Sequence, residues 1–71
     1  MNFKKYGRKQ DAVTIETFRL DMFEELDVEE TSEMREMFQR AWRYGHSFGF
    51  EEVFEHFRGL LDIYLESEAD F

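Results

Sequence analysis

A chain of 71 residues has room for one domain, and at this size folding buries only about 60% of the surface the unfolded chain exposes. Its 17 Asp and Glu against 9 Lys and Arg give a net charge of −8, which disfavours nucleic acid and anionic membranes as direct ligands and favours basic protein surfaces. The absence of Cys excludes disulfides and thiolate metal sites and suits a reducing cytoplasm. Nine Phe, three Tyr and one Trp supply the large apolar units that an acidic chain of this length needs to fold at all.

Residues 1–10 form a basic arm with Lys4, Lys5, Arg8 and Lys9 and no acid. The remaining 17 acids face only five bases, so residues 11–71 form a single acidic domain of net charge −12. No apolar signal region follows the arm, and no run approaches the roughly 18 apolar residues that span a bilayer. Phe3 and Tyr6, interleaved with the bases, give the arm the pattern of a single-strand binder. Four bases beside a −12 body are too few, and no direct nucleic-acid binding is expected.

Ile15, Phe18, Met22 and Leu26, flanked by Phe23, predict a first helix over about 14–27 with Thr14 as cap. Val13, Ile15 and Thr17 also alternate, which leaves open an α+β alternative in which a short strand pairs with residues 2–6 as a hairpin. Met34, Met37, Phe38, Ala41 and Trp42 predict a second helix over about 32–44, opened by Thr31 or Ser32 and closed by Gly45. Its start could lie earlier, because Asp27 and Glu30 have capping-box-like spacing. Glu33 and Glu36 near its start and Arg40 and Arg43 near its end match the helix dipole, and Glu36 with Arg40 has i,i+4 spacing. Phe50, Val53, Phe54, Phe57, Leu60, Leu61, Tyr64 and Leu65 predict a third helix over about 50–66, capped at Gly49, with Phe48 stapled onto Val53. Short connections then imply an all-α, compact three-helix bundle with Phe38, Trp42, Phe54, Phe57 and Leu61 in its core.

The densest chemical feature is acidic. Asp21, Glu24, Glu25, Asp27, Glu29, Glu30, Glu33 and Glu36 place eight carboxylates in sixteen residues, opposed only by Arg35. Such a ridge can dock on Lys and Arg clusters or imitate a phosphate backbone; its bland alternative is a solvated face. Calcium fits poorly, because a loop begun at Asp27 has Ser32 where Gly is needed and Phe38 where the closing Glu is needed. His46 and His56 lack the Glu three residues upstream that a di-iron bundle uses, with Arg43 and Val53 there instead. No serine sits in a nucleophile elbow, and Gly45 and Gly49 bracket a turn rather than a phosphate loop. No catalytic residue, metal or cofactor is assigned.

Phe3, Tyr6, Tyr44, Phe48, Phe71 and four Met exceed what three short helices need inside, so some apolar residues are candidates for a surface patch. In size, charge and aromatic content the chain resembles the small inhibitor proteins of phages, including anti-restriction and anti-CRISPR DNA mimics, and antitoxin or immunity proteins. The resemblance implies a non-enzymatic protein-binding inhibitor or modulator, acting in the cytoplasm (the host's, if the gene is viral), with residues 21–36 against a basic, nucleic-acid-handling surface. A structural interaction module or homodimer built on exposed aromatics is the alternative, and a nucleic-acid-binding regulator acting through the arm is the third.

Overall fold

The computed structural model describes residues 1–69, with side chains through Ser67. Its helices are α1 (Ala12–Glu25), α2 (Ser32–Gly45) and α3 (Phe50–Ala69), preceded by a 3-10 turn over Phe3–Tyr6. This is the all-α three-helix bundle, and no strand occurs among the described residues.

α1 begins two residues before the predicted start because Asp11, not Thr14, caps it: Asp11 Oδ1 accepts from the Thr14 N–H at 2.8 Å. The alternation that suggested a strand is wound into α1, where Ile15 packs against the core while Val13, 75% exposed, and Thr17 face solvent. α1 ends in a Schellman motif. Asp27 takes a left-handed φ of 52°, its N–H bonds to Glu24 O at 3.1 Å, and the Val28 N–H reaches back to Phe23 O at 2.9 Å. Thr31 caps α2 by accepting from the Met34 N–H at 3.2 Å, so the earlier start at Asp27 is not used. α3 opens at the predicted Phe50 and runs to Ala69, beyond the predicted end.

Gly45 does not stop α2; it is the last residue of the helix. Its task is proximity, since a Cβ there would stand 2.8 Å from Val53 N and 3.0 Å from Glu52 C. The missing side chain lets α2 and α3 touch backbone to backbone at the top of an antiparallel hairpin. Gly49 makes the turn between them at φ 122°, a conformation that L side chains rarely adopt.

Phe18, Met22, Val53 and Phe57 are fully buried. Rings interlock around them at centroid separations of 4.9 Å for Phe18–Phe50 and 5.4 Å for Phe23–Phe57. Phe38, Phe54, Phe57 and Leu61 are core residues as expected, while Trp42 packs against the core half-buried. Phe48 is 78% exposed, so no staple onto Val53 forms. Leu65 also faces outward, and Phe71 lies outside the described residues.

The first ten residues lie against this core. Tyr6 is buried with its ring 5.3 Å from both Phe18 and Phe50. Phe3 meets Phe54 at 5.5 Å, and the Gln10 amide donates to His46 O at 2.6 Å.

Candidate acidic docking surface

The bundle sorts the eight predicted acids into two groups. Four are engaged within the chain. Asp21 accepts from the Tyr6 hydroxyl at 2.6 Å and pairs with Lys5 Nζ at 2.8 Å. The hydrogen bond from Lys5 and then that from Tyr6 hold the Asp21 carboxyl below its ordinary value. In turn, burial, the hydrogen bond to Asp21 and that carboxylate's charge push the Tyr6 phenol far above its ordinary value. Glu25 lies 3.6 Å from the Met1 amino group, Glu30 pairs with Arg19 at 2.8 Å, and Glu33 accepts from the Tyr64 hydroxyl at 2.6 Å.

Glu24, Asp27, Glu29 and Glu36 are exposed, and among the described residues none of them makes a hydrogen bond or ion pair through its side chain. The first three cluster at the α1–α2 turn; Glu36 stands a turn further up α2, beside Met37 and Arg40. The expected Glu36–Arg40 ion pair is not formed among the described residues. The sequence reading missed Asp62 and Glu66, which are exposed on the last turns of α3. Their end of α3 returns to the α1–α2 turn, where Leu61 and Met34 share the core and a cleft runs past Asp27, Glu29 and Leu65. The signal was available, because antiparallel neighbours bring the end of a third helix back to the first turn.

Two of these carboxylates sit where they oppose their own helix. Glu24 lies in the last turn of α1 and Asp27 just past it, beside carbonyl groups that already carry partial negative charge, and no base occupies that last turn. Asp27 also holds the left-handed position where Gly is preferred. The arrangement can accept hydrogen bonds from ammonium and guanidinium groups.

The opposite end carries exposed acids too, Glu51, Glu52 and Glu55. Glu51 and Glu52, however, stand in the first turn of α3, where carboxylates favour the helix dipole, and Glu51 shares a cleft with Lys4 and Arg8. Lys5 is committed to Asp21, which leaves Lys4, Arg8 and Lys9 of the basic arm. His46 stacks on Trp42 at 5.6 Å and His56 on Tyr44 at 4.1 Å. No three His, Asp or Glu converge as a cation would require among the described residues. No described helix is long and apolar enough to cross a membrane.

Fold and surface together define a small all-α domain with exposed, unpaired carboxylates at its α1–α2 turn. The chain belongs to the family of unknown function DUF8546, which matches residues 1–64 and so takes in the arm, α1, α2 and most of α3. No curated protein and no solved structure matches it.

Proposed function

We propose that this domain is a non-enzymatic protein-binding modulator whose acidic end, built from Glu24, Asp27 and Glu29 with Asp62 and Glu66 on the end of α3 that returns there, docks on a Lys- and Arg-rich surface. A nucleic-acid-handling protein is the partner class such a surface fits, because its basic groove is already complementary to a row of negative charge. The inhibitor would then act as a DNA mimic in the cytoplasm, a phage product in its host being one such setting, with no cofactor and no nucleic acid bound directly.

The observation that carries this reading is the position of Glu24 and Asp27. Carboxylates that only maintain solubility can sit anywhere on the surface, yet these occupy the negative end of α1 and a left-handed residue, where both electrostatics and backbone preference work against them. Retaining acid at a stability cost is what a docking function requires.

The test is capture of a partner from the source cell, followed by binding of Glu24→Gln/Asp27→Gly/Glu29→Gln to the purified partner. The triple variant should fold at least as stably as the parent, bind about tenfold or more weakly, as expected for lost charge pairs, and lose the steep salt dependence. Unchanged affinity and salt dependence would sink the reading. So would a mobility shift with DNA or RNA at about 50 mM salt that disappears when Lys4, Arg8 and Lys9 become Ala.

A further inference from the structure

α3 carries apolar side chains on more than one face. Besides the buried Val53, Phe57 and Leu61, the half-buried Leu60 and the 63%-exposed Ile63 turn outward. Together with Met37 of α2 they line a cleft of about 330 Å³ bordered by Glu33, Glu36 and Arg40. α1 packs on the other side of the hairpin, so among the described residues this two-helix face has no third layer.

The charges along the rim have a symmetry that the apolar floor lacks. Glu33, Glu36, Arg40 and Arg43 follow one another at i, i+3, i+7 and i+10, which puts them on one side of α2. They are also antisymmetric about position 38: Glu36 and Arg40 lie two residues to either side, and Glu33 and Arg43 five. Among the described residues neither Arg40 nor Arg43 has an ion-pair partner, nor does Glu36. A helix with this pattern is complementary to an antiparallel copy of itself. A two-fold axis at position 38 sets Glu36 against Arg40 of the copy and Glu33, through the carboxylate oxygen that Tyr64 does not use, against Arg43 of the copy, each twice, because a two-fold interface repeats every contact.

We propose that the α2–α3 face is a self-association surface on which a second copy of this chain docks about a two-fold axis, forming an antiparallel four-helix layer. Met37, Leu60 and Ile63 fill its centre, and the Glu–Arg pairs fix its register. The proposal does not rest on the acidic docking reading: Glu24, Asp27 and Glu29 lie outside the face. In the antiparallel dimer the two acidic turns point to opposite ends.

Sedimentation of the full chain reads the outcome. The wild type should sediment at twice the 8.7 kDa chain mass. Glu36→Lys and Arg40→Glu, both exposed and checked for unchanged helicity, should each weaken the dimer at least about tenfold, since each sets like charges together twice. An equimolar mixture of the two variants should recover the dimer, because a Glu36→Lys chain facing an Arg40→Glu chain again has opposite charges at both of these pairings. Ile63→Glu should dissociate the wild-type dimer without unfolding the monomer. A wild type that stays monomeric at about 1 mM chain, variants that remain dimeric, or a mixture that fails to recover the dimer each overturn the proposal. So does a monomeric wild type whose captured partner is lost on Ile63→Glu, which would assign the face to that partner.

Discussion

The Tyr6 hydroxyl donates a 2.6 Å hydrogen bond to Asp21 across fifteen residues of chain, and Lys5 closes on the same carboxylate from the neighbouring position. This one acid therefore ties the first segment to α1, and the tie is sensitive to pH at both extremes. Unfolding releases Asp21 to its ordinary value of 3.8, so ionisation favours the fold; the contribution is complete above that value and is lost as pH falls through the lowered one. Unfolding likewise returns Tyr6 to 10.0, so above that pH the unfolded chain sheds the phenolic proton first and stability falls. Tyr6→Phe should keep the ring packing, cost about 1 to 2 kcal/mol at neutral pH, and remove Tyr6's share of the alkaline loss. Urea denaturation of parent and variant at several pH values measures both, and equal alkaline slopes would show that Tyr6 is not the responsible group.

Two helical glycines should respond in opposite directions. Gly45→Ala drives a Cβ to 2.8 Å from the Val53 backbone, where no side chain can yield, and should cost roughly 1 to 3 kcal/mol despite Ala's better helix propensity. Gly59→Ala in α3 meets nothing within 4 Å and should stabilise by up to about 1 kcal/mol. Thermal melts of the two variants, read against the parent, check the pair.

Phe57 and Phe48 differ as much as two phenylalanines can in one small domain. Phe57 is fully buried against Phe23, and Phe57→Ala should cost about 3 to 5 kcal/mol, enough to unfold much of the population. Phe48→Ser should change stability by less than about 0.5 kcal/mol, because its ring is already in water. A large loss at Phe48 would mean that it staples the turn after all.

Asp27→Gly alone should raise stability by on the order of 1 kcal/mol, by relieving a left-handed non-glycine residue and removing a carboxylate from the end of α1. Denaturant midpoints decide it. A destabilised variant would remove the argument that this acid is held against the interest of the fold.

The number of helices, their order and the starts of α2 and α3 were legible in the sequence because apolar period and capping are local. Thr31 needs only Met34 three residues on, and Phe50, Val53, Phe54 and Phe57 mark a face by spacing alone. α1 was less legible: Val13 and Leu20 are exposed while Phe18, Met22 and Phe23 are buried, so its apolar residues do not form one clean stripe.

Only the tertiary structure decided which acids remain available. Asp21 is claimed by Tyr6 and Lys5, and Glu33 by Tyr64 thirty-one residues away; nothing in the spacing of the acidic stretch distinguishes them from Glu24 or Glu29. Gly45 reads as a helix stop until Val53 is seen beside it, and Phe48 reads as a staple until the turn directs its ring outward. Composition and period determine what a segment can form, because those energies are summed over neighbours in the chain. The fate of a single charge or ring is set by whatever the packed helices bring to it from elsewhere.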